Sequence, residues 1–279
     1  MRYFIVLISL LLINSLFSQD TIVFTASVKD KNFTVIPYSN VGIKNRPETH
    51  TVADKEGYFE IDCLLTDTLV IRQAGYKKVE QCVRIIVENE TFQLQKTIIL
   101  AEKIQEVKEV TITSKKRKIR NKNFGNESED KAFTLEVESD KLGYEFGVKI
   151  NIPEKKRVKL EQFNCFIVQS SVDSFKFRLN IYNYSEMDSS LNLLSDNIIG
   201  SDTLTSGAFN IDLKHERLYV KGDILVTLEV IEFFGEGKVT FSTGTISGGT
   251  YFREGKEADW EKFPIIGLAF NVDAKVSRR

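Results

Sequence analysis

The sequence predicts an all-β protein made of two sandwiches, and three observations carry that expectation. The chain holds 20 Phe and 9 Tyr but only 4 Pro and 2 Met, a composition suited to pleated, half-buried strands. Apolar and polar residues alternate in many short runs, as where Phe175, Phe177, Leu179 and Ile181 interleave with Lys176, Arg178 and Asn180. The charged stretch 114–130, with almost nothing apolar to bury, reads as a solvated linker between two such regions, 19–113 and 131–279.

The first element is a leader. Arg2 precedes an apolar run over 3–12 that continues to Phe17 and ends at the small Ser18, the shape of a secretory signal peptide, with cleavage expected after Ser18. The run falls short of the roughly 20 residues a membrane-spanning helix needs, and no later run reaches that length. No cysteine lies near Ser18, so no lipid anchor is expected. The mature chain is therefore expected to be exported, to a periplasm or to a cell surface or outer membrane, with no transmembrane segment. Losing 1–18 removes only Arg2 from 38 basic residues, against 39 acidic ones, and this near-neutral balance argues against nucleic acid as a partner.

Seven strands are predicted in the first region, at 22–28, 39–44, 57–61, 68–73, 77–87, 93–100 and 109–112. Between two of them, Asp54 is placed to accept backbone N–H groups ahead of it in a turn, Gly57 to take positive φ, and Tyr58, Phe59 and Ile61 to resume the pleat. Gly75-Tyr76 marks another sharp change of direction. Two carboxylates on one turn, Asp54 and Glu56, fall short of the six to eight oxygens that Ca²⁺ takes, and no spacing of a zinc site occurs, so no metal is expected.

The segment 51–61, Thr-Val-Ala-Asp-Lys-Glu-Gly-Tyr-Phe-Glu-Ile, resembles the Thr-Asp-x-x-Gly-x-Phe signature of the carboxypeptidase-regulatory-like domain, a seven-stranded transthyretin-like sandwich. Residues 67–77, with Gly75-Tyr76, resemble that family's later Asp-x-Leu stretch, and Ile36-Pro37-Tyr38 resembles its approach to the second strand. The Gly that usually opens the first strand is absent, with Ala26-Ser27-Val28 in its place. The resemblance covers 21–113 and marks Asp54, Gly57, Phe59, Gly75 and Tyr76 as structural. It implies an accessory rather than catalytic domain, of a kind that often precedes outer-membrane receptors of the TonB-dependent type, and hence a partner in an envelope assembly.

Of the three cysteines, Cys63 and Cys82 fall in this region and could pair in an oxidising compartment, closing a loop worth about 3 kcal/mol. Cys165, in the apolar run 163–168, reads as a buried inert thiol.

The second region predicts about eight longer strands and a jelly-roll-like two-sheet sandwich. Its final strands resemble in layout those of carbohydrate-binding jelly rolls, a likeness of shape that says little about ligand. The segment 248–255 with Trp260, the only tryptophan, sets aromatic faces beside polar groups. Tyr251, Arg253 and Trp260 are thus candidate ligand contacts for a glycan or a protein, the alternative being that Phe252 and Trp260 close one end of the core.

Catalytic patterns are absent. His50 and His215 lie in different regions, and no nucleophile elbow occurs. Asp223, Glu229 and Glu232 could line a sheet face as hydrolase carboxylates, although acidic residues on a solvent face are ordinary. The sequence reading is a non-catalytic, cofactor-free binding or scaffold protein of a bacterial envelope, with an envelope hydrolase or a structural adhesin as alternatives.

Overall fold

A computed structural model describes residues 21–89, 96–103, 119–186, 192–245 and 248–277. The leader, the expected strand 109–112 and residues 114–118 lie outside the described residues. The protein is all-β, with two separate apolar cores, each enclosed between two sheets.

In the first sandwich, β1 (Ile22–Asp30), β2 (Asn40–Ile43), β3 (Arg46–Val52), β4 (Tyr58–Cys63), β5 (Thr68–Arg72), β6 (Val79–Cys82) and β7 (Lys96–Leu100) form sheets ordered β4-β1-β7 and β3-β2-β5-β6. Period-two burial places Phe24, Ala26 and Val28 of β1 opposite Val41, Ile43, Leu69 and Ile71. Asp54 Oδ1 accepts the N–H groups of Glu56 (2.9 Å) and Tyr58 (2.8 Å), and Gly57 has φ of 72°. A Cβ at Gly57 would lie 2.8 Å from Val28 O, so both the turn and the neighbouring strand require glycine. Phe59 is buried in the core, and Gly75-Tyr76 turns the chain after β5, Tyr76 bridging to Glu102.

Three expectations are corrected here. Strand β3 carries no apolar alternation in Arg-Pro-Glu-Thr-His-Thr-Val and was invisible to pattern reading. The expected strand 77–87 stops at Cys82 and becomes helix α1 (Val83–Asn89). Val79, Gln81, Val83, Ile85 and Val87 read as a strand, but in the helix Val83 and Ile86, three apart, are buried in the core with Val87 packed against it, while Ile85 faces out. Cys63 and Cys82 are free thiols. They end strands in opposite sheets: Cys63 is buried in the first core, which raises its pKa to about 11, whereas the Cys82 thiol donates to Leu65 O at 3.7 Å.

The second sandwich begins earlier than the linker reading allows. Strand β8 (Ile119–Gly125) pairs along its whole length with β21 (Asn271–Ser277). Nearly all its side chains are exposed, so backbone pairing at a sheet edge, which leaves no apolar pattern, holds it in place. The remaining strands are β9 (Thr134–Glu138), β10 (Tyr144–Ile150), β11 (Val158–Ser170), β12 (Ser174–Asn183), β13 (Ile198–Asp202), β14 (Gly207–Asp212), β15 (Tyr219–Val220), β16 (Ile224–Phe234), β17 (Lys238–Thr245), β18 (Thr250–Glu254), β19 (Glu261–Phe263) and β20 (Ile266–Leu268). One sheet runs β13-β12-β16-β10-β18-β19. The other runs β20-β17-β11-β21-β8, with β14 and β15 against β11 and β9 against β17. Several strands are too short to have been separated by periodicity, which is why about eight were expected.

The core between these sheets is aromatic. Phe146 lies 5.2 Å from Phe241 and Phe163 meets Phe270 edge-on at 5.1 Å, geometries that add to area burial. Cys165 is buried here, and burial alone pushes its thiol pKa up. No helix among the described residues is long and apolar enough to cross a membrane.

Candidate functional site

The six-stranded sheet has a second buried face. On β12, β16, β10 and β18 the residues pointing away from the aromatic core are mostly polar, and the strand register aligns four of them in one row. Arg178 pairs with Glu229, Glu229 with Glu145, and Glu145 with Arg253. All four are buried, at 3%, 0%, 0% and 2% exposure. Lys256, from the loop after β18, sets its ammonium 2.7 Å from Glu145 and 2.9 Å from Glu229.

The two carboxylates of the row are closely satisfied. Glu145 accepts from Arg253 Nε (2.9 Å) and Nη2 (2.5 Å), Thr227 Oγ1 (2.5 Å), Asn180 Nδ2 (3.0 Å) and Tyr182 OH (2.9 Å). Glu229 accepts from Arg178 Nη1 (2.9 Å) and Asn180 Nδ2 (3.0 Å). Gly147, in the next row on β10, has no room for a side chain: a Cβ there would lie 2.0 Å from Val226 O.

Burial would raise both carboxyl pKa values, but Arg253 and Lys256 hold Glu145, and Arg178 and Lys256 hold Glu229, below the ordinary carboxylate range. Burial lowers the pKa of the Lys256 ammonium, and the two carboxylates only partly reverse this. The physical reason is loss of hydration, to which the neighbouring Arg253 charge adds. Three cations share two carboxylates in this row.

The first sandwich covers this face. Arg72 of β5 forms a bidentate pair with Glu257. Lys176 donates to Tyr38 OH at 3.0 Å, and Arg178 Nη2 donates to the carbonyl of Tyr38. Tyr38 has φ of 57°, a left-handed conformation uncommon for a bulky residue, here held at the contact between the sandwiches.

Between the sandwiches lies a cleft of about 510 Å³. Its floor is Arg178, Asn180, Tyr182 and Lys256. One wall is Asn40, residues 72–78 and Lys103 of the first sandwich, and the other is Asn192, Leu194 and Asn197. Asn192 Nδ2 donates to Asn180 Oδ1 at 2.8 Å, anchoring that second wall to the floor. Three buried polar atoms of the lining residues, Gln73 Oε1, Arg178 Nε and Asn197 Oδ1, have no hydrogen-bond partner.

The residues expected to bind ligand come together on this face, but as a packed layer. Arg253 is fully engaged by Glu145, and its guanidinium lies 4.3 Å from the Trp260 ring centroid. Trp260 meets Tyr182 edge-on at 5.9 Å. Tyr251 is buried, with its hydroxyl 2.7 Å from that of Tyr184. None of these three lines the cleft. The acidic candidates are each ion-paired: Asp223 with Lys149 (2.7 Å), Glu232 with Lys176 (2.5 Å) and Glu229 within the row.

His50 accompanies the interface, its Nδ1 3.0 Å from Pro47 O, and His215 sits in an exposed 3-10 turn. No group of residues that could hold a metal ion occurs among the described residues.

Sequence reading missed Lys256, Asn192 and Tyr38, which lie outside any alternation, and Gln73, which it placed at the end of the strand 68–73. For Glu145, Arg178, Glu229 and Arg253 a signal did exist, opposite charges at outward positions of alternating strands, but only the register converts it into a row.

No family model matches the chain, and no curated protein matches its sequence. Among solved structures it is similar to the cysteine protease and lectin-like domains of Cwp84, a surface layer associated protein of Clostridium difficile, at 12% identity and a TM-score of 0.33, covering 53% of this chain and 37% of that one. It is also similar to the Clostridial cysteine protease Cwp84 after propeptide cleavage, at 9% identity and a TM-score of 0.36, covering 90% and 70%. A third likeness is to the infectious bursal disease virus VP2 subviral particle, at 7% identity and a TM-score of 0.30, covering 93% and 64%. The chain spans well under half the length of the first of these. Likenesses this distant carry no argument about ligand, which rests on the geometry of the cleft.

Proposed function

We propose that this chain is a non-catalytic binding protein of a bacterial cell envelope, exported by its leader, that holds a glycan in the cleft between its two sandwiches. The observation that carries this reading is one 510 Å³ cleft whose lining residues include Gln73, Arg178 and Asn197, each with a buried polar atom, two acceptors and one donor in all, that has no hydrogen-bond partner. Buried polar groups are normally paired, and sugar hydroxyls both donate and accept. The cleft volume falls within the roughly 300–1,000 Å³ of small-ligand sites. The resemblance of 21–113 to an accessory regulatory domain supports the same reading.

Glycoside hydrolysis needs one carboxyl group protonated and one ionised. Glu145 and Glu229 are both held ionised and saturated with cations, an arrangement for structure rather than proton transfer.

The test is a screen of the full chain against glycans and peptidoglycan fragments, following binding and product formation together. Binding without turnover, abolished by Ala74→Trp in the cleft wall, is expected. Product formation lost on Asp223→Asn would overturn the non-catalytic assignment, and no binding to any glycan would overturn the glycan assignment in favour of a structural adhesin.

A further inference from the structure

The charge of the cleft is one-sided. Among the described residues six cationic side chains line it, Arg72, Lys77, Lys78, Lys103, Arg178 and Lys256, and no Asp or Glu does. The whole chain, by contrast, has a formal charge of −1, so this concentration is local. Four of the six cations have carboxylate partners: Arg72 with Glu257, Lys78 with Glu80, Arg178 with Glu229, and Lys256 with both Glu145 and Glu229. Lys77 and Lys103 have none among the described residues. The backbone holds these two on one wall, since Lys77 N–H donates to Ala101 O (2.8 Å) and Lys103 N–H to Gly75 O (2.7 Å). Beneath them the buried row carries three cations to two carboxylates, a surplus of positive charge within the row.

We infer that the ligand of this cleft is an acidic oligosaccharide, its uronate-type carboxylate seated beside Lys77 and Lys103 over the positively charged floor, its hydroxyls on Gln73, Asn197 and Arg178. This rests on the cleft being the glycan site proposed above. The unpartnered cations are lysines, compact point charges with rotatable donors, whereas both arginines are already committed to carboxylates. Such a site attracts an anion by field and leaves fine recognition to the neighbouring amides. A carboxylate on the ligand would supply the negative charge that the row lacks.

Titration calorimetry on the full chain tests this with a short oligogalacturonate, the corresponding neutral galactose oligomer, and inorganic phosphate. The oligogalacturonate is expected to bind at least about tenfold more tightly than the neutral oligomer, and to weaken as salt rises from about 0.05 to about 0.5 M, where screening shortens to a few ångströms. Lys77→Gln combined with Lys103→Gln, both at exposed positions, is expected to remove most of that preference while leaving the neutral oligomer and the thermal midpoint unchanged. Lys31→Gln with Lys55→Gln, away from the cleft, is expected to change nothing. Equal binding of the acidic and neutral oligomers, each blocked by Ala74→Trp, would overturn the acidic inference and leave the glycan cleft standing. Phosphate binding as tightly as the oligogalacturonate would overturn the saccharide inference in favour of a bare anion site. No binding of either oligomer would overturn this inference, while the wider glycan screen separately decides the proposed function.

Discussion

The two faces of the six-stranded sheet are both buried, and they are built from opposite chemistry. Toward the second core, Phe146, Phe177, Leu179, Val226 and Leu228 interdigitate as an apolar layer. Toward the first sandwich, Arg178, Glu229, Glu145 and Arg253 form an ionic row. The apolar face is stabilised by removal from water and by close packing, and tolerates imprecise partners. The ionic face has lost its hydration and depends on each charge keeping its partner. Equal burial therefore conceals unequal sensitivity.

The largest effects come from breaking either face at one point. Phe177→Ala is expected to cost about 3–5 kcal/mol through lost transfer energy and a cavity. Glu145→Gln is expected to cost a similar 3–5 kcal/mol or so, because Arg253 is left buried without a countercharge and Lys256 keeps only Glu229. Urea unfolding of both variants checks this, and a near-silent Glu145→Gln would break the comparison.

The faces should separate when the row is removed as a unit. Replacing Arg178, Glu229, Glu145, Arg253 and Lys256 together by Met or Leu is expected to leave stability unchanged or to raise it by about 1–4 kcal/mol, since paired buried charges contribute little net stability over apolar residues of similar volume. A loss of several kcal/mol in the same unfolding experiment would show that the row contributes stability outright.

Acid distinguishes the faces without mutation. Unfolded glutamates take up protons near pH 4.3, and the folded Glu145 and Glu229 do so only at lower pH. Their contribution is complete above about pH 5 and is lost as pH falls through the range between the unfolded and folded values. The urea midpoint should fall across that range, and Glu145→Gln combined with Glu229→Gln should flatten the fall.

The smallest effects lie at the margin of the covered face and beyond it. Arg72→Ala removes a pair whose side chains are 21% and 19% exposed, so about 1 kcal/mol or less is expected, read as a lower unfolding midpoint together with faster proteolysis between the sandwiches. Asp54→Ala loses two N–H acceptor contacts on an exposed turn and is expected to cost about 1 kcal/mol by thermal unfolding, without effect on the ionic row.

Much of the fold was legible because it depends on period and on local backbone chemistry. The alternations of β1, β10, β12 and β16 are printed in the residues, and Asp54 with Gly57 specifies a turn over a few positions. Elements held by pairing alone were silent: β3 and β8 contribute backbone to a sheet edge without an apolar side-chain pattern. Helix α1 was misread because Val-Arg-Ile-Ile-Val satisfies both periods, and only contact with the first core selects between them.

The candidate site was legible in part. Arg253 and Glu229 were singled out, but as a ligand contact and as an acid on a solvent face, whereas each is half of a buried ion pair. What the sequence determined by itself is the β class, the two alternating regions and the apolar face of each strand, because these follow from local periodicity and transfer free energy. What only the tertiary structure decided is the fate of the polar face. Alternation says which side chains avoid the core, but whether those side chains meet water or another sandwich depends on a docking contact between residues far apart in sequence, such as Tyr38 with Arg178 and Arg72 with Glu257.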